Sequence, residues 1–293
     1  MRLLKEKIVK VLLFGSAILA ASVILGILAT LGFYGLQTFR EVNLLRFITG
    51  SVWNPDAYGE PKYGIIPLAV GSLFVTIIAL AIAAPTGIAS ALFISERLHG
   101  KTKMAAKTLV EILAGIPSVV IGFFGLTFIS LVITKVFRIY SGLNLLNGGI
   151  LLAMMSLPTI ISVSEDALRA VPTSYREAAL GLGAHDWQAA TRVILPAAKP
   201  GIVAALMLGF GRAVGETMAV LMVAGNAPII ARSLFDPIRT ITTTIAIELG
   251  EVPFVTAHFH ALFALGLLLF GVTLLTNLLA ESMLKREKAR YQI

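Results

Sequence analysis

The chain has 293 residues, 57% of them hydrophobic and 14% charged, with a net charge of +8 and no cysteine. That balance excludes an ordinary soluble domain, and the lack of cysteine excludes disulfides and thiolate metal sites without fixing the compartment. The composition predicts an all-α, polytopic membrane protein.

Neutral stretches at 11–37, 63–95, 139–164 and 252–280 each exceed the roughly 20 residues that a spanning helix needs. Residues 108–134 make a fifth span if Glu111 is tolerated near its end, and 200–224 a sixth with Arg212 and Glu216 inside it. Scored over the seven connecting regions of a six-span chain, Lys and Arg alternate strongly. Sixteen fall in the first set, which includes both termini, and seven in the other. Loops rich in these residues stay in the cytoplasm, so both termini are expected there. The positive charge is then a topology and headgroup signal, with no nucleic-acid partner implied.

In chain order, the N-terminal helix at 1–37 is too long for a signal h-region and is expected to remain uncleaved. Residues 38–66 contain WNP and one further proline, Pro61, and are expected to form an ordered external loop. The second span carries Pro85, where a kink is expected. SERLHGKT at 95–102 lacks the first glycine of a phosphate-binding loop and a preceding strand, so it reads as a cationic internal loop. Glu111 opens the third span either as a cap near water or in transport. Gly115, Pro117, Gly122 and Gly125 make that helix thin and bendable. The fourth span, about 149–163, has Pro158 at its centre.

Residues 174–199 are too polar to cross a bilayer yet keep a helical register, with Ala178, Ala179 and Leu182 on one side. Thr173 or Ser174 can cap a helix, and Glu177 completes a capping-box spacing from Ser174. Gly183 can end that helix in the left-handed conformation, and Asp186 can cap a second. A helix-turn-helix elbow outside the membrane, too small for a core of its own, is the result.

Within 200–224, Arg212 and Glu216 lie four apart and are expected to share a helix face turned to the bundle interior or a watery route, since a charge in hydrocarbon costs about 2.5 to 3.5 kcal/mol. A planar guanidinium suits an oxyanion, and a carboxylate can accept a hydrogen bond from a protonated phosphate. A plain helix-packing ion pair is the competing reading. Beyond this span, 240–251 is too short to cross and is expected to be external or re-entrant. His258 and His260 diverge on a helix and offer little as a metal site. The tail at 285–293 reads as solvated.

Glu177-Ala178-Ala179, three residues, Gly183, nine residues, then Val193-Ile194-Leu195-Pro196 resembles the EAA loop of ABC importer permeases, with Val193 where that pattern prefers isoleucine. GRAVGETMAVLMVAGN at 211–226, EILAGIPSVVIGFFGL at 111–126 and FITGSVWNP at 47–55 resemble the phosphate-importing permeases, PstC type, with the sister PstA type second. The resemblance implies a type I ABC importer permease fold with six transmembrane helices and a cytoplasmic coupling helix. The permease domain would occupy 67–284, in a bacterial-type cytoplasmic membrane.

It also implies a PstA-like second permease subunit, two PstB-like ATPase subunits and an external PstS-like binding protein that delivers inorganic phosphate. Translocation would involve Arg212, Glu216 and Thr217. Coupling to the ATPase would involve Glu177, Ala178, Ala179, Gly183, Leu195 and Pro196. Such a chain is no enzyme, carries no cofactor or metal, and leaves ATP hydrolysis to its partners. A secondary oxyanion transporter without ATPase partners, or an ABC permease for sulfate or molybdate, are the alternatives. An intramembrane enzyme ranks last, because no nucleophile and base constellation lies in the spans.

Overall fold

The computed structural model describes residues 2–57 and 59–290, without the side chains of 2–6, 8 and 283–290. Helix α1 (Arg2–Glu41) is followed by the short α2 (Leu44–Thr49), a two-stranded hairpin of β1 (Trp53–Asn54) and β2 (Lys62–Tyr63), and α3 (Ile66–Glu96). Then come α4 (Gly100–Gly115), α5 (Ser118–Phe124), a π-helical turn (Gly125–Ile129) and α6 (Ser130–Phe137). Next are α7 (Leu145–Arg169), α8 (Thr173–Gly181), α9 (Asp186–Ala189), a second π-helical turn (Ala190–Ile194) and α10 (Leu195–Ala197). The chain ends with α11 (Lys199–Gly215), α12 (Met218–Val223), α13 (Ile241–Glu248) and α14 (Ala257–Arg290).

Five helical stretches are long and apolar enough to cross a membrane: Val9–Glu41, Ile66–Glu96, Ser118–Phe137, Leu145–Arg169 and Ala257–Ser282. A bent pair, Asp186–Ala197 and Lys199–Gly215 at 68°, makes a sixth when it is counted as one broken span. Four boundaries depart from the sequence expectation. The first helix runs on to Glu41, and the fourth span is longer, beginning at Leu145 behind an Asn144 cap whose side chain accepts from the Asn147 amide. Residues 97–99 alone separate α3 from α4, so the expected cationic loop is mostly helix.

The third span starts at Ser118, because Pro117 sits in an extended conformation that interrupts the helix, and Glu111 therefore belongs to the separate α4. Both α3 and α7 continue as helices through Pro85 and Pro158. Of the tail at 285–293, the backbone to Arg290 continues α14; the rest lies outside the described residues.

The centre of the bundle is α3 laid along α7, with α11 closing one side. Gly87 of α3 and Gly209 of α11 both face Ile160 of α7, and an added Cβ would come within 2.7 and 2.8 Å of its side chain. Ile160 is fully buried as a result. The first helix packs outside this centre on α14, where Tyr34 meets Phe259 and Phe263 with ring centroids 5.5 and 5.1 Å apart.

The described residues of 38–66 dock on the bundle. Phe47, Trp53, Ile65 and Leu68 form one apolar cluster with Ile241, Leu262 and Leu265. A polar hub locks it. The Glu248 carboxylate accepts from Trp53 Nε1 (3.2 and 3.1 Å) and Arg239 Nη1 (2.8 Å) and lies 2.8 Å from His258 Nε2. Beside this hub, burial and then the carboxylates of Glu41 and Asp56 push the Tyr63 phenol above its usual range.

Glu248→Ala leaves the Arg239 guanidinium half-buried without its carboxylate, which costs on the order of 3 kcal/mol. The purified protein should melt at a lower temperature, and the 44–63 segment should be cut faster by protease than in wild type.

Candidate functional site

Two features stand apart from the packed bundle: an elbow at 173–198 and a helix break at 216–217. The elbow is a helix, a tight turn and a second helical limb. Pro172, at φ −58° and ψ 140°, sets the chain's entry into α8, which begins at Thr173 with no side-chain cap. The expected capping box at Ser174 and Glu177 is therefore not made, since both residues already lie inside the helix. At the other end Gly183 takes φ +88°, and the amides of Gly183 and Ala184 bond back to the carbonyls of Leu180 and Ala179 at 2.9 and 3.1 Å. This is a Schellman turn, in which glycine avoids the Cβ clash. His185, not Asp186, precedes the second limb, and its amide donates to Gln188 Oε1 at 3.1 Å.

The expected single face of Ala178, Ala179 and Leu182 is split. Ala179 is buried, while Ala178, Glu177 and Gly183 are exposed and Leu182 is 91% exposed. Leu195 is half-buried and Pro196 exposed. The second limb is held by an apolar cluster in which Ala190, Ile194 and Ala198 meet Ala91 and Leu92 of α3 and Leu168 of α7. The elbow thus keeps a free outer face with apolar side chains at Leu180, Leu182 and Trp187.

The second feature corrects the expectation of one continuous helix over 200–224. α11 ends at Gly215, Glu216 is extended at φ −70° and ψ 133°, and α12 starts at Met218. Seventeen helical residues span about 25 Å, short of the ~30 Å hydrocarbon core, so the unwound pair sits within membrane depth when Lys199 is at the surface. Local partners satisfy the break. Glu216 Oε1 accepts from the Ala219 amide (3.2 Å), its carbonyl accepts from Thr242 Oγ1 (2.9 Å), and Thr217 Oγ1 donates to the Gly215 carbonyl (3.4 Å).

Arg212 and Glu216 consequently do not share a helix face and form no ion pair. The helix unwinds between them, and the Glu216 carboxylate turns to cap α12. Arg212 stands in the last turn of α11, where a cation suits the helix dipole, on an exposed line with Leu208 and Gly215. Its guanidinium has no hydrogen-bond or ion-pair partner among the described residues.

Sequence reasoning missed three charged assemblies whose members are far apart in the chain. The Glu248 hub is one, and it gives His258 a carboxylate partner in place of His260. His260 stacks on Tyr34 instead. A second is Glu165, 1% exposed, held by Lys103 at 2.9 Å and Lys107 at 2.6 Å from α4. The third joins Arg176 of α8 to Glu96 of α3. Helical register could place each residue on a face, but the pairings depend on how the helices pack. The segment at 240–251, expected to be external or re-entrant, is the eight-residue α13, capped by Thr240 and buried over Ile241–Thr244.

Residues 83–288 match the family model described as binding-protein-dependent transport system inner membrane component. A Bacillus subtilis protein described as a probable ABC transporter permease, YqgH, is 41% identical over 92% of this chain and 87% of its own length. The phosphate transport system permease protein PstC of Mesorhizobium japonicum is 38% identical over 83% and 79%. Among solved structures, a bacterial ABC transporter for the acidic polysaccharide alginate superposes with a TM-score of 0.62 at 20% identity, covering 98% of this chain and 99% of the other. An inward-facing MetNI methionine ABC transporter superposes at 0.56 and 19% identity, covering 76% and 94%. The fold is thus that of the importer permeases. This chain belongs to the family of inner membrane components of binding-protein-dependent transport systems, and is a multi-pass permease subunit of an ABC importer, not its ATPase.

Proposed function

We propose that the chain is one of two permease subunits of an ATP-driven importer of inorganic phosphate, working by alternating access. The observation that carries this reading is the unpartnered Arg212 guanidinium beside an unwound helix pair at membrane depth. An isolated charge facing lipid costs about 2.5 to 3.5 kcal/mol, so the exposed line through Leu208, Arg212 and Gly215 calls for cover by water or by another subunit. A second, PstA-like permease on that face would enclose Arg212 at the contact between the two chains. There its fork can meet a tetrahedral oxyanion, with Glu216 and Thr217 beside it. The description of the relatives as phosphate transport permeases favours phosphate over sulfate or molybdate.

The elbow's free face supports the coupling half. Glu177, Ala178 and Gly183 lie on the outer limb; Ala179, Leu195 and Pro196 shape its attachment. This protrusion would seat in a PstB-like ATPase subunit, while a PstS-like protein would deliver phosphate on the opposite side. Sixteen basic residues in the elbow-side regions, against seven in the others, support a cytoplasmic position for both termini.

Reconstituted with its partner permease, ATPase and phosphate-binding protein, the complex should take up radiolabelled phosphate only with ATP. Uptake without ATP would point to a secondary transporter. Arg212→Gln should lower uptake at least 100-fold while the complex still assembles; unchanged uptake ends the transit role. Gly183→Val forces a branched residue to φ +88°, a strain of about 1 to 2 kcal/mol. It should weaken copurification of the ATPase while the protein still inserts in the membrane.

A further inference from the structure

Force on the elbow must reach the spans, and the two limbs are attached very differently. The second limb is fixed by the apolar cluster around Ala190, Ile194 and Ala198. The first, α8, buries Ala179 alone; it follows α7 after residues 170–172 and meets the second limb at the Gly183 turn and along the second π-helical turn. None of those contacts is a side-chain ion pair between α8 and a span.

Arg176, half-buried on α8, supplies the missing tie. Its Nη2 pairs with Glu96, a 7% exposed carboxylate at the last residue of α3, and its Nη1 lies 3.9 Å from Asp186 at the start of the second limb. One guanidinium therefore joins both limbs to the end of a span. The two carboxylates differ in weight. Asp186 is 74% exposed and its attraction is screened by water, whereas Glu96 is mostly removed from solvent and has no other cation among the described ion pairs. Among the described residues this is the one ion pair that links α8 to a membrane helix. The other cytoplasm-side cluster, Lys103 and Lys107 on Glu165, ties α4 to α7.

The helix that receives the tie runs about 46 Å, from Glu96 to the far side of the bundle. There the Ser72 hydroxyl accepts from the Ile241 amide at 3.0 Å, and Gly71 lies against the Arg239 carbonyl. Ile241 starts α13, whose Thr242 braces the break at Glu216 and whose Glu248 is the centre of the outer hub. A displacement of the α3 end thus acts on the segment that supports both.

We propose that Arg176 is a positioning residue for transport: its ion pair with Glu96 clamps α8 to the end of α3, so that movement of the elbow becomes movement of α3. This rests on the elbow being the ATPase-docking element.

The test uses the full complex carrying Arg176→Met, Glu96→Gln, or the exchange Arg176→Glu with Glu96→Arg. Amide hydrogen exchange over 173–182 reads the clamp, and phosphate taken up per ATP hydrolysed reads its use. Each single variant should speed exchange in that segment about 10-fold and lower the transport ratio about 10-fold while ATP is still hydrolysed. The exchanged pair should recover most of both. Singles with wild-type exchange and ratio overturn the clamp. An exchanged pair that stays uncoupled, or that does not assemble, overturns it too, because a tie made by charge must survive exchange. Should the wild-type complex take up phosphate without ATP, the coupling reading fails while the amide exchange result still decides whether Arg176 holds α8.

Discussion

Hydrocarbon gives no hydrogen bonds, so each polar group at membrane depth must find its partner inside the protein. The spans obey this at short range. Ser72, Thr76, Thr86, Ser90, Thr127 and Thr273 each return a hydroxyl proton to the carbonyl four residues earlier. Where the helix is interrupted the same demand is met at longer range. The extended Glu216 would carry an orphan carbonyl had Thr242 not been brought to it from another segment. α13 is thus a support for the break. The permissible irregularity of the fifth span and the burial of its threonine-rich neighbour are one arrangement.

The same demand separates the buried, paired carboxylates from Arg212. Glu248 and Glu165 are each held by at least two cationic or N–H partners, and Glu96 by one. All three sit at the ends of helices that must hold their relative positions. Arg212 has no partner among the described residues. The apolar line that includes it adjoins α12, and α12 packs on α5, where Gly122 faces Met222. Val119, Val120 and Phe123 of α5 are exposed as well. A face that is apolar around one unpaired cation fits neither water nor lipid alone, which is the physical reason for placing a second subunit and an anion there.

Much of this was legible in the sequence because it depends on local chemistry. Span number followed from uninterrupted apolar length, and Gly183 from the left-handed turn that only glycine accepts cheaply. The motif from Glu177 to Pro196 was legible as a pattern, although which of Ala178 and Ala179 faces outward required knowing what lies behind the helix. The break at Glu216 was not legible. Pro200–Ala224 has no proline or polar run inside it, and a helix with glycines at 209, 211 and 215 is equally compatible with going straight on. The break is accompanied by the Thr242 hydroxyl on the Glu216 carbonyl and by the close fit of α12 on α5, and those arise only on packing. The pairing of Trp53, Arg239, Glu248 and His258 was hidden for the same reason, its members being spread over some two hundred positions.

Rigidity and motion must then be distributed unequally. Ile160 is gripped by glycines from α3 and α11, so these three helices approach too closely to slide past one another without a clash of side chains. A displacement at the elbow end of α3 is accordingly carried along the helix or resisted as a whole. The unwound pair at 216–217 has no such grip: hydrogen bonds with Ala219, Thr242 and Gly215 hold it, and Arg212 beside it has no partner among the described residues. Stiff helices ending on a soft joint concentrate deformation at that joint. On the proposed reading this puts the bend where the anion would pass, and makes the change of access a rearrangement of a few hydrogen bonds at the joint instead of a repacking of the core.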